Sequence, residues 1–208
     1  MVMSEAPIYT ELKKKILFLE YSPGSVLREK EIMERFGVSR PPAREALMRL
    51  EIDGLVRIIP HVGTFVADIS FQQLKNVFEV NSHLVGLVGQ LAAARITRAE
   101  LDDVRRQIDA MKKTRDSQVL MQLDQEIHRI INRATKNEVL SKTLNALHDQ
   151  SVRIWAFSGN DNEYWNDLAT EHENIAAALE RRDGELAAEL LKRHSKRFVE
   201  DIRSQLAV

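Results

Sequence analysis

The sequence predicts a mainly α fold, with an N-terminal winged helix-turn-helix domain over residues 1–70 and a C-terminal all-α six-helix bundle over 71–208. Two observations carry this expectation. Residues 27–67 run in the order helix, tight turn, helix, β-hairpin, and beyond residue 70 the chain has no Pro, few Gly and no alternating strand pattern. With 208 residues, 44% hydrophobic and 29% charged, it has the composition of an ordinary soluble globular protein.

In chain order, residues 5–20 place Ile8, Leu12, Ile16 and Leu19 on one helical stripe, and Ser22, Pro23 and Gly24 end it. The next helix carries Ile32, Met33 and Phe36, and Gly37 supplies the left-handed residue that closes a helix. Val38 returns to the core. Ser39 stands where an N-cap is wanted, and Pro41 and Pro42 lack N–H groups that a first helical turn leaves unpaired, so a further helix starts at about residue 40. After Gly54, LVRII and TFVA read as the two strands of a hairpin with Pro60, His61 and Gly63 at its tip.

The helix beginning near Arg40 has two unlike faces. Ala43, Ala46, Leu47 and Leu50 form its apolar stripe, whereas Arg40, Arg44 and Arg49 lie off that stripe, with Ser39 at the start. A basic, hydroxylated first turn suits insertion into the DNA major groove, where Arg pairs bidentately with guanine and hydroxyls hold phosphate. Lys30, Pro41 and Pro42 belong to the same candidate surface, and His61 and Gly63 place the hairpin tip along the backbone or minor groove. Lys13, Lys14 and Lys15 either add positive charge to this surface or form a solvated helix face. Net charge is uninformative, since residues 1–70 hold ten Lys plus Arg against ten Asp plus Glu. Recognition must therefore rest on local clustering.

Beyond a linker at 68–70, helices are expected at about 71–96, 98–115, 117–135, 138–157, 162–182 and 184–206. Thr97 with Glu100 forms a capping box, Asn137 an N-cap, Asp183-Gly184 a break, and SGNDN at 158–162 a loop. On the third of these helices Asp124 and His128 stand four residues apart and point to one spot. His172 and His194 fall on or beside the apolar stripes of the last two helices. Three imidazoles and one carboxylate suit a borderline divalent cation such as Zn, Ni, Mn or Fe, with an open coordination position. A hydrogen-bonded structural cluster is the alternative reading of the same residues, and so is a metalloenzyme that activates water.

Two stretches resemble a known family. GVSRPPAREALMRLEIDGLV, at 37–56, is similar to the winged-helix motif of GntR-family bacterial transcription regulators, and LDQEIH, Asn137, EHENIAAALERRD and AAELLKRH resemble the motifs of the FCD-type domain found in one branch of that family. Six helices in place of seven correspond to the shorter variety of that domain. The resemblance implies operator DNA as partner, a metal at Asp124, His128, His172 and His194, and a small carboxylate effector at or near it. It also implies a homodimer on a near-palindromic operator.

The chain departs from the family pattern where the first bundle helix commonly carries an Arg and, four residues on, a Glu; here stand Asn81 and Val85. Arg153 is a candidate substitute anchor, although a surface or interface arginine is the simpler reading. His148 is a further candidate lining residue, with a plain structural role as its alternative. Ile127 replaces the usual aromatic before His128.

The enzyme alternative has little support: there is no HExxH helix, no nucleophile set and no nucleotide-binding glycine loop. The chain has no Cys, its first residues lack the apolar core of a signal peptide, and no run approaches the roughly 20 apolar residues of a membrane helix. A soluble cytoplasmic protein without membrane association is therefore expected.

Overall fold

The computed structural model describes residues 5–158, 165 and 167–205, and the chain divides into two compact units, Met1–Phe71 and Gln72–Val208. The first unit contains α1 (Glu5–Leu17), β1 (Val26–Leu27), α2 (Glu29–Phe36), α3 (Arg40–Ile52), β2 (Val56–Ile59) and β3 (Gly63–Val66). Its core is made where α1 meets α3: Ile8, Leu12 and Ile16 face Ala43, Ala46, Leu47 and Leu50, all buried. Gly37, at φ +61°, closes α2 as its sequence position requires.

The wing differs from the two-stranded expectation. Val26 and Leu27 pair with Phe65 and Thr64, so the antiparallel sheet has three strands in the order β1-β3-β2. Two residues are too few to show an alternating pattern, which is why β1 is invisible in the sequence. The hairpin itself runs in the register Val56↔Val66 to Ile59↔Gly63, and its turn puts His61 at φ +61° and Gly63 at φ +151°.

In this unit one further expectation is corrected, and another is borne out in position without the side-chain bond. Helix α1 stops at Leu17 instead of residue 20, because Leu19 takes a left-handed conformation (φ +58°) and Tyr21 N–H turns back to the Lys15 carbonyl. Ser39 does occupy the N-cap position of α3, but its side chain makes no cap bond to any described residue. The cause is local: an N-cap oxygen accepts from the second or third helical N–H, and after Arg40 those positions are Pro41 and Pro42, which have none.

The second unit contains α4 (Phe71–Arg95), α5 (Arg98–Met111), α6 (Ser117–Ala134), α7 (Glu138–Ser158), α8 (Leu168–Glu180) and α9 (Gly184–Gln205). Helix α5 packs on α6 and α8, α6 on α7, and α9 on α7 and α8, around a core that includes Val104, Ile127, Ile131, Val152, Trp155, Ile175, Leu179 and Leu191. The Thr97–Glu100 capping box is present at α5 and Asn137 Oδ1 accepts from Leu140 N at 3.1 Å at α7. Helix α5 ends four residues before the expected 115, since Asp116 caps α6 by accepting from Gln118 N and Val119 N. The expected start of the next helix at 162, and most of the 158–162 loop, lie outside the described residues. At the far end of α8, Arg182 is left-handed (φ +58°) and Asp183 N–H bonds the Ala178 carbonyl at 3.0 Å, a helix stop that does not use glycine.

Helices α4 and α9 approach closely at Gly89, where an added Cβ would lie 2.4 Å from the Ala188 backbone nitrogen. This contact seats α9, and with it His194, against α4. Among the described residues no helix is long and apolar enough to cross a membrane.

Candidate metal centre and nucleic-acid interface

Three helices of the second unit bring Asp124, His128, His172 and His194 together. Helix α6 supplies Asp124 and His128 one turn apart, α8 supplies His172 and α9 supplies His194, and one ligand atom from each lies within 4.8 Å of all the others. His172 Nε2 is 2.7 Å from Asp124 Oδ1, the Nε2 atoms of His128 and His194 are each 3.7 Å from that oxygen, and these two nitrogens are 3.1 Å apart. Donors held about 2.1 Å from a common cation sit roughly 3.0–3.4 Å from one another in octahedral or tetrahedral arrangements. The observed separations bracket that range, so the donor set fits an ion without large movement.

The electrostatics agree with the geometry. Burial alone would raise the Asp124 carboxyl, but the neighbouring His128, the hydrogen bond from His172 and the field of His194 outweigh it and hold the group below the usual carboxylate range. Burial pushes His128 well below the ordinary imidazole value and pushes His148 and His172 down as well. The result is a carboxylate only 3% exposed that accepts from His172 at 2.7 Å, with the His128 and His194 rings close by. A cation among these donors would match that buried negative charge.

Glu171, which the sequence reading missed, completes the arrangement. Its Oε2 lies 2.8 Å from His194 Nδ1 and its Oε1 2.9 Å from Arg197 Nε. Burial tends to raise the Glu171 carboxyl, yet the hydrogen bond from His194 and the charges of His194 and Arg197 bring it below its ordinary value. The carboxylate thus accepts from Nδ1 and leaves His194 Nε2 facing the cluster. The available signal was adjacency: Glu171 precedes a candidate ligand histidine in the chain.

A cavity of about 40 Å³ opens onto the cluster and is lined by residues that include Phe78, Asn81, Val85, Asp124, His128 and His148. Asn81 Nδ2 donates to Ser195 Oγ at 2.8 Å across the cavity wall. His148, from α7, stands with its ring centroid 4.5 Å from that of His128 and its Nε2 3.6 Å from Asp124 Oδ2. Arg153 is a correction on both counts. It is fully buried, so it is not a surface arginine, and it is not among the cavity-lining residues. Five residues, about 1.4 helical turns, separate it from His148, which turns it to another side of α7.

In the first unit, Ser39, Arg40, Pro41 and Arg44 are exposed at the start of α3, Pro42 is half-buried, and Lys30 is exposed on α2. Arg40 Nε lies 3.4 Å from Glu29 Oε2 and Lys30 Nζ 3.8 Å from Glu34 Oε1. His61 is exposed at the hairpin tip. Arg49 is exposed as well, and its guanidinium stacks 4.2 Å from the centre of the Tyr9 ring. Tyr9 in turn donates its hydroxyl to Asp53, and Lys13 Nζ reaches both, at 2.8 Å from Tyr9 Oη and 3.1 Å from Asp53. Lys15 pairs with Glu11 and Glu20. Lys13 and Lys15 therefore serve internal ion pairs, and of the three lysines Lys14 alone is exposed.

A winged helix with an exposed basic first turn, in one chain with an all-helical unit that gathers buried metal-type donors, defines a DNA-binding regulator with a sensor domain. Residues 5–66 match the family described as bacterial regulatory proteins, gntR family, and residues 76–197 match the FCD domain; the chain belongs to the GntR family of transcription regulators and carries an FCD domain. It is 34% identical over 174 residues to the "Probable D-xylose utilization operon transcriptional repressor" of Paenarthrobacter nicotinovorans, covering 82% of this chain and 76% of that one. It is 27% identical over 199 residues to the HTH-type transcriptional repressor RspR of Escherichia coli, covering 94% and 87%. Among solved structures, Escherichia coli McbR/YncC superposes with a TM-score of 0.85 at 19% identity over 99% of both chains, which shows a shared fold. These relatives are transcription regulators, not enzymes.

Proposed function

We propose that this regulator binds a near-palindromic operator as a homodimer and responds to a small carboxylate effector held at a divalent ion in the FCD domain. The observation that carries the reading is the buried Asp124 carboxylate facing His128, His172 and His194 with their Nε2 atoms turned inward. When bound, the ion supplies a Lewis-acidic position for an anionic oxygen. The chain's own residues do the rest: Glu171 orients His194, Asn81 and Ser195 line the approach, and Val85 and Phe78 exclude water on the apolar side.

On the DNA side, Ser39, Arg40 and Arg44 at the start of α3 are the base- and phosphate-contacting set, with Lys30, His61 and Gly63 on the backbone. Pro41 and Pro42 keep the Ser39 hydroxyl out of the helix cap and so available to phosphate. Both relatives described above are named repressors, which supports repression as the output. An effector shifts operator affinity only by its differential affinity for the DNA-competent and DNA-incompetent states, and the coupling is reciprocal.

The test combines elemental analysis, calorimetry and sedimentation on full-length protein. About one divalent ion per chain is expected, together with a dimer and a carboxylate that changes operator affinity. A parent protein that neither carries an ion nor takes one up on titration overturns the metal-centred reading.

A further inference from the structure

The polar groups around the cavity are nearly all committed. Asn81 Nδ2 donates to Ser195 Oγ at 2.8 Å, Asn132 Nδ2 donates to Asn145 Oδ1 at 2.9 Å, and Ser151 Oγ donates to the Leu147 carbonyl at 3.1 Å. His128 and His194 face Asp124. The exception is His148, whose Nε2 is buried and has no hydrogen-bond partner among the described residues. Native structures pair such groups with few exceptions, and an unpaired one calls for an explanation.

His148 is not a fifth member of the donor group, because the four ligand atoms that lie within 4.8 Å of one another come from Asp124, His128, His172 and His194. It stands instead on α7, which supplies none of the four, and closes the cavity from that side. Its Nε2 lies 3.6 Å from Asp124 Oδ2, a carboxylate oxygen that favours the tautomer with the proton on Nε2 yet lies beyond hydrogen-bonding distance. An N–H is thus presented beside the metal-type cluster with nothing to receive it.

We propose that His148 Nε2–H is the second anchor point for the effector: one oxygen of a carboxylate occupies the open position of the ion and the other accepts from His148. The inference rests on the metal-centred reading above. Asn81, on the first helix of this unit, has its amide already bonded to Ser195. The cavity, about 40 Å³, has room for roughly three water-sized groups, which matches a carboxylate head drawn in beside an ion. Recognition therefore requires two oxygens on one carbon.

The test uses full-length protein loaded with Zn²⁺ and acetate as the probe, comparing the parent with His148→Leu and His148→Gln by calorimetry, with elemental analysis of each. His148→Leu should keep its ion and its melting temperature but bind acetate about tenfold to a hundredfold more weakly, the range expected for losing a hydrogen bond to a charged group. His148→Gln, which retains an N–H donor, should recover part of the loss. Unchanged acetate affinity in His148→Leu, with one ion per chain in both proteins, overturns the anchor while leaving the metal centre standing. Loss of the ion from His148→Leu overturns it in favour of direct ligation. A parent that takes up no Zn²⁺ overturns both.

Discussion

His194 and Glu171 are joined across α9 and α8, with His194 Nδ1 2.8 Å from Glu171 Oε2. With Nδ1–H donating to the carboxylate, the Nε2 lone pair is left toward Asp124 Oδ1, 3.7 Å away. Arg197 Nε, 2.9 Å from the other Glu171 oxygen, fixes the carboxylate in turn. The ring orientation on which the cluster depends is thus set by a residue that does not belong to the cluster.

Glu171→Gln preserves size and one acceptor oxygen but removes the charge that holds the Nδ1 proton. Ion affinity should fall about tenfold to a hundredfold while the helical unit stays folded. Competitive titration with a coloured chelator reads this directly, and equal affinity in parent and variant would show that Glu171 is only a surface carboxylate beside Arg197.

The two glycines of α4 offer a contrast in packing. A Cβ on Gly89 meets the Ala188 backbone at 2.4 Å, which cannot yield, whereas a Cβ on Gly86 meets the far end of Lys192 at 2.5 Å, which can swing away. Gly89→Ala should destabilise the protein by about 1–3 kcal/mol through overpacking. Gly86→Ala should be neutral or stabilise by up to about 1 kcal/mol, the usual helix preference for Ala over Gly. Denaturant melts that rank the two in the opposite order would contradict the close α4–α9 contact.

The α5 capping box carries a pH dependence whose sign is fixed. Burial tends to raise Glu100, but Lys136 Nζ at 2.6 Å and the Thr97 backbone N–H at 3.0 Å lower it, and the net shift is below the ordinary 4.5. Its contribution is therefore present above pH 4.5 and fades as pH falls through the lower folded value. Glu100→Gln should be less stable than the parent at neutral pH, and the gap should narrow in melts taken at increasingly acid pH. Thr97→Ala should lose about 1 kcal/mol at neutral pH. A gap that stays constant or widens toward acid would refute the assignment.

The parts of this molecule that can be read from the chain are those governed by local rules. Gly37, Asn137 and the Thr97–Glu100 pair act within one turn of helix, and Asp124 with His128 needs only the helical repeat to share a face. Where position depends on which helices pack together, the chain is silent. Glu171 acquires its role only when α8 meets α9, and His148, a candidate from the sequence, is given its place beside Asp124 only when α6 meets α7. The meeting of His172 and His194 with Asp124 came from the family resemblance, since spacing fixes one pair alone. Arg153 shows the limit most plainly: a charged residue read as exposed is fully buried, because composition does not reveal which side of a 21-residue helix faces the core.

The three arginines of α3 are expected to separate into two kinds. Arg40 and Arg44 are exposed in its first turns, and Arg40 has a 3.4 Å ion pair with Glu29 to give up. Arg49 stacks on Tyr9, which is itself tied to Asp53 and Lys13, so it braces α1 against α3. On DNA selected from a random pool by the parent protein, Arg40→Ala and Arg44→Ala should each weaken specific binding by about 1–3 kcal/mol. Their stability should change by less than about 0.5 kcal/mol, as for other surface substitutions. Arg49→Ala should instead destabilise the winged helix by about 0.5–1 kcal/mol, the size of an exposed cation–π contact. Its effect on DNA affinity, measured well below the melting temperature, should be the smallest of the three. Anisotropy titrations at physiological salt alongside thermal melts give both quantities for each variant. If Arg49→Ala loses the most affinity with stability intact, α3 meets DNA along its C-terminal half and the contact set centred on Ser39, Arg40 and Arg44 is wrong.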